Sequence, residues 1–145
     1  MYQSKVDEAL ECFGKGNNCA QAILATYCED FGLDKETAMK VACGFGGGMG
    51  RMQETCGAVT ASFMALGLKY GKSGAEDPEA RDRTYALVRE YAALFKERNN
   101  TIKCLDLLGV NFLEGDLTQV MLQVKDLCPK YVKDAAEVLE PFLYE

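Results

Sequence analysis

The feature that most restricts the fold is the recurrence of apolar residues at spacings of three and four in segment after segment, with scarcely any strand-like alternation. A period near 3.6 buries one face of a helix. The chain therefore reads as all-α, a compact single-domain multi-helix bundle over residues 1–145. Val6, Leu10 and Phe13 mark a first helix over about 3–14, and Ile23, Leu24, Tyr27 and Phe31 a second over about 18–31, stopped by Gly32. Asp34 is placed to cap a third, which turns Met39, Ala42 and Cys43 inward and ends at Gly44. A fourth runs from near Cys56 to Tyr70, with Ala58, Ala61 and Ala65 as close-packing positions. Asp77-Pro78 opens a fifth that carries Tyr85, Leu87, Val88, Tyr91, Leu94 and Phe95 to about Arg98. Shorter helices are expected over about 102–108, 117–127 and 129–143, with Asp116 and Gln119 set for a capping box.

Between the third and fourth helices lies Gly44-Phe45-Gly46-Gly47-Gly48-Met49-Gly50, and five glycines in seven positions sustain neither a helix nor a strand. The run has no GxGxxG or GxxxxGK register, so a dinucleotide or P-loop role has no support. Two readings remain. The glycines either connect two helices, or expose amides at Gly46, Gly47 and Gly48 that hold a sulfur or an anionic ligand beside Arg51.

Charge and composition remove whole classes of function. Lys and Arg number 16 against 22 Asp and Glu, a formal charge of −6, so nucleic acid is not an expected partner. No histidine is present, which excludes Ser-His-Asp and Cys-His catalysis, HExxH zinc sites and His-ligated haem. The longest apolar stretch, around Ala58 to Leu68, is interrupted by Thr60 and Ser62 and is too short to insert into a membrane. Met1–Lys5 leads directly into Val6-Asp7-Glu8 without the basic and apolar regions of a secretory leader, so a cytoplasmic location is expected. Seven reduced cysteines in that setting favour metal or redox chemistry over structural disulfides.

The seven thiols divide by their place on the helices. Cys19, Cys56, Cys104 and Cys128 fall at expected helix starts, where free amides and the positive dipole end stabilise a thiolate, making it a better nucleophile and a better metal ligand. Cys56, after the glycine run and before the small Gly57 and Ala58, is the expected most reactive thiol. Cys12, Cys28 and Cys43 lie within or late in helices, where a reduced cysteine is a small hydrophobe, and Cys28 and Cys43 are expected to react slowly. No CxxC pair occurs, so spacing alone signals neither a zinc ribbon nor a thioredoxin-type dithiol.

Asn18-Cys19-Ala20-Gln21-Ala22, the run from Gly44 to Arg51, Cys56-Gly57-Ala58-Val59-Thr60-Ala61 and the later Cys104 and Cys128 together resemble the redox-active family named for its C_GCAxxG_C_C pattern. The resemblance spans roughly residues 17–140 and carries the family's cysteines onto Cys19, Cys56, Cys104 and Cys128. Ala61 departs from the pattern, standing where the family has a glycine. The resemblance implies a small helical redox protein, and similar segments in a cytochrome with an iron–sulfur centre add weight to cluster or metal binding.

Three functions follow. Four thiolates at Cys19, Cys56, Cys104 and Cys128 hold a [2Fe–2S] cluster or zinc; or Cys56 attacks and another of the four resolves through a disulfide; or the chain is a helical binding module with structural cysteines. The partners left open are a redox partner, a small-molecule ligand and, in a homo-oligomer, a second copy of the chain.

Overall fold

The computed structural model describes residues 1–145, and its regular structure is helical apart from one isolated antiparallel bridge. Eight right-handed helices follow one another, with one left-handed turn between the third and the rest. Helix α1 (Val6–Gly14) packs Val6, Leu10 and Phe13 against the core around the fully buried Ala9. Helix α2 (Cys19–Tyr27) is almost wholly buried and ends earlier than its apolar pattern suggests, because Cys28–Phe31 tightens into a 3₁₀ turn before Gly32 adopts φ +88°.

Helix α3 (Lys35–Cys43) is capped by Asp34, whose carboxylate accepts from the Thr37 amide at 2.9 Å. Its inner face differs from expectation. Ala38 and Ala42, one turn apart, are the buried pair; Met39 is half-buried and Cys43, a further 100° or so around the helix, is exposed. The turn α4 (Gly46–Met49) reverses hand, with φ of +68° at Gly47, +69° at Gly48 and +67° at Met49.

Helix α5 (Gly57–Tyr70) is the central rod. Ala58, Ala61 and Ala65 are fully buried along it, so the alanine positions serve close packing against α2 and the last helix. Helix α6 (Pro78–Asn99) starts at the Asp77 cap but buries only Tyr91 and Phe95, leaving Tyr85 outside. Short helices α7 (Cys104–Leu108) and α8 (Leu117–Val124) build a second small apolar cluster with Phe112. Asp116 caps α8 through the Thr118 amide, without the reciprocal bond expected from Gln119. Helix α9 (Cys128–Tyr144) closes the bundle.

Buried polar groups fasten α9 to the rest. The Tyr91 hydroxyl donates to Ala135 O at 2.9 Å, and the Glu140 carboxylate, 2% exposed, accepts from the Lys5 amide at 2.7 Å and from the Tyr27 hydroxyl. Burial and that carboxylate push the Tyr27 hydroxyl well up, so it stays protonated as the donor.

Handedness makes the loop testable. A Cβ on Gly48 would lie 2.7 Å from Cys104 Cβ, 2.7 Å from Gln53 Cα and 2.8 Å from Glu54 N, whereas one on Gly50 meets nothing within 4 Å. Gly50→Ala is expected to cost about 1–2 kcal/mol for its positive φ alone, and Gly48→Ala about 2 kcal/mol more for the backbone clash, in urea unfolding.

Candidate functional site

The four helix-start cysteines occupy the positions their sequence context indicates. Cys19, Cys104 and Cys128 are the first residues of α2, α7 and α9, and Cys56 is the residue before α5. All four line one cavity of about 470 Å³, despite separations of up to 109 residues in sequence (128 minus 19). Cys56 and Cys104 are 7% and 6% exposed, while Cys19 and Cys128 are half-buried.

Three local devices set this arrangement. Asn18 caps α2 in a reciprocal box, accepting from the Gln21 amide at 2.9 Å while its own amide donates to Gln21 Oε1 at 3.0 Å. Its Nδ2 also donates to Cys43 O at 2.9 Å, joining the start of α2 to the end of α3. The bridge between Thr55 and Lys103 then clamps two more thiols. Cys56 N donates to Ile102 O at 2.7 Å and Cys104 N donates to Glu54 O at 2.6 Å. Finally, Gly57 lets α5 approach α2: a Cβ there would stand 2.6 Å from Cys19 Sγ and 2.6 Å from Phe45 O.

The thiols are not equivalent. Cys19 is drawn down to about 7, first by the neighbouring Cys56 thiol and then, against the cost of burial, by the amides of Gly47, Ala20 and Ala58. Cys56 moves the other way, pushed well up by serving the Cys19 thiolate and by burial. Burial raises Cys104 to about 12 and Cys128 to about 11, with the Cys19 charge adding to both. The low-pKa, accessible thiol is therefore Cys19. Cys56, expected as the most reactive, is the shielded and protonated member of the pair.

Cys28 is buried and its thiol raised by that burial, as a core cysteine should be. Cys43 is not core: it stands exposed at the rim of the cavity, so the expectation that it reacts slowly loses its basis. Of the glycine-run residues, Gly46, Gly47, Gly50 and the following Arg51 line the cavity, whereas Gly48 is buried behind it against Cys104.

Residues 17–142 match the profile of a family described as "Putative redox-active protein (C_GCAxxG_C_C)". The chain belongs to this family. No curated protein and no solved structure gave a match.

Within this C_GCAxxG_C_C chain, Ala61 lies fully buried in the core and away from the cavity lining, so the substitution of the family's glycine touches helix packing rather than the site. Four soft thiol donors suit zinc or an iron–sulfur cluster in kind. Their arrangement does not: no three cysteine or carboxylate side chains stand together in a way that could hold a metal ion. No helix is long and apolar enough to cross a membrane.

Sequence reasoning missed Gln53. It is 2% exposed with φ +57°, and its amide donates to Val110 O and accepts from Phe112 N, both at 2.8 Å, which hangs the Phe112 wall on the end of the glycine loop. No local signal marks it, because its partners lie 57 and 59 residues away. The Asn18 cap did have a signal in its spacing from Gln21.

The division of the thiols has a pH signature. Iodoacetamide labelling followed by mass spectrometry should show Cys19 reacting with a midpoint near pH 7, its thiolate lost as pH falls below that. Cys128 and Cys104 should label only towards pH 11 and 12. Replacing Cys56 by Ala should move the Cys19 midpoint upward.

Proposed function

We propose that this protein carries out thiol–disulfide exchange, with Cys19 as the attacking thiolate and Cys56 as the resolving thiol. The observation that carries the reading is geometric: Cys19 at the start of α2 and Cys56 at the head of α5 line one cavity, where Gly57 lets α5 close on Cys19 Sγ, and Cys19 is drawn down while Cys56 is pushed up. Cys19 Sγ attacks one sulfur of a substrate disulfide, forming a mixed disulfide and releasing the first substrate thiolate. Cys56 then gives its proton to a departing thiolate and attacks Cys19 Sγ, so that the Cys19–Cys56 disulfide forms and the second substrate thiol leaves. Both electrons of the new protein disulfide have passed to the substrate. A thiol with a pKa near ambient pH is the most effective attacker in such exchange, which favours Cys19 over the three raised cysteines.

A second reading rests on the convergence of all four sulfurs: a [2Fe–2S] or zinc centre on Cys19, Cys56, Cys104 and Cys128. It requires the sulfurs to draw closer than they stand. A binding module with incidental cysteines leaves their meeting in one cavity without a cause.

The exchange reading is tested by trapping. With a small disulfide in excess, Cys56→Ser protein should accumulate a stable adduct on Cys19, whereas the wild type should pass on to a Cys19–Cys56 disulfide lacking the adduct. An adduct that clears equally fast in the variant would assign resolution to Cys43, Cys104 or Cys128. Iron and sulfide, or zinc, recovered in stoichiometric amount from anaerobically purified protein would replace exchange with the metal reading.

A further inference from the structure

The walls of the cavity say what kind of disulfide it takes. The protein carries 22 acidic residues, yet no Asp or Glu lines the cavity, and the one charged lining residue is Arg51. Arg51 makes no ion pair and no side-chain hydrogen bond, unlike Arg81 and Arg98, which both engage carboxylates. Its position is built rather than incidental. Arg51 is held at φ +64° within the left-handed run, and its stem lies across Gly47, where a Cβ would stand 2.8 Å from Arg51 Cγ. The same Gly47 turns its amide towards Cys19. One glycine thus touches both the stem of the cavity's only cation and, through its amide, the attacking sulfur. The rest of the lining includes Leu107, Leu108, Phe112 and Met121, an apolar surface that offers no charged partner, and Phe112 reaches the same Gly47 that Arg51 crosses. A volume of about 470 Å³ suits a small molecule.

Building on the exchange reading, we infer that the substrate is a low-molecular-weight disulfide bearing a carboxylate, which Arg51 holds while Cys19 attacks the adjacent sulfur. The bulk charge of −6 repels such a substrate at long range. At about 0.15 M salt that repulsion is screened beyond roughly 8 Å, so the local cation decides. The guanidinium pairs with the carboxylate and the apolar wall receives the methylenes. The chemistry is the exchange already described: Cys19 Sγ bonds to one substrate sulfur and the carboxylate-bearing thiolate of the other half leaves.

The test uses three disulfides of one skeleton at 0.15 M salt and pH 7: 3,3′-dithiodipropionate, bis(2-hydroxyethyl) disulfide and cystamine, which are anionic, neutral and cationic. The rate of adduct formation on Cys19 is followed by mass spectrometry and divided by the rate of each probe with a free small thiol, which removes leaving-group differences. The normalised rates should fall in the order anionic, neutral, cationic. Arg51→Gln should lower the anionic-to-neutral ratio about threefold, a modest factor because the guanidinium is solvent-exposed, the neutral probe serving as the reference for any general effect on Cys19. Lys72→Gln, an exposed change of the same net charge outside the cavity, should leave the ratio unaltered. Equal ratios in wild type and Arg51→Gln, or equal loss in Lys72→Gln, would overturn the carboxylate assignment while leaving exchange at Cys19 standing. Failure of all three probes to modify Cys19 would overturn both.

Discussion

Everything at the cavity depends on how closely two helix starts are allowed to approach. The first turn of α2 and the first turn of α5 meet at Gly57, where a single additional carbon would collide with both Cys19 Sγ and a backbone carbonyl. Because that carbon is missing, the amides at the head of α5 reach the sulfur at the head of α2, and two positive dipole ends reinforce one another around one thiolate. The alanines behind Gly57 keep the two rods close along their length. The result is one stabilised charge in a largely apolar bundle, which every neighbouring thiol feels as a reason to remain protonated.

The left-handed turn complements that approach. A right-handed continuation of α3 would carry its amides along the helix axis and away from Cys19. Reversing hand at Gly47 and Gly48 swings the chain back, and the strain extends into Met49, Arg51 and Gln53, which all take positive φ. Non-glycine residues rarely adopt this conformation, and they persist in it only where surrounding bonds over-determine the backbone. Here those bonds are identifiable: Gln53 N to Gly47 O, Glu54 N to Gly48 O, and the Gln53 side chain to the 110–112 segment.

Much of this was legible in the sequence, and for definite reasons. Helix starts are signalled locally, by Asp34, by Asp77-Pro78 and, next to one of the four thiols, by Pro129 after Cys128. The inner face of a nine-residue helix is less well determined: the apolar spacing points Cys43 inward, whereas the Ala38–Ala42 edge is the buried one. Which thiol would carry the charge was not legible at all. Cys19 and Cys56 both sit at helix starts, and the distinction arises from Gly47 and Gly57, which reach Cys19 only after the chain has folded. Gln53 was invisible for the same reason.

The clasp at Glu140 has a consequence for the birth of the protein. Its carboxylate takes up the Lys5 amide 135 residues away and the Tyr27 hydroxyl 113 residues away. At ribosomal speeds of about 5–20 residues per second, α1 and α2 emerge roughly six to twenty-seven seconds before the residue that locks them. Throughout that interval Cys19, then Cys56 and Cys104, leave the tunnel without the wall that α9 later provides. The nascent chain therefore passes through a phase in which its thiols are open to indiscriminate oxidation, a phase that ends when the last helix docks.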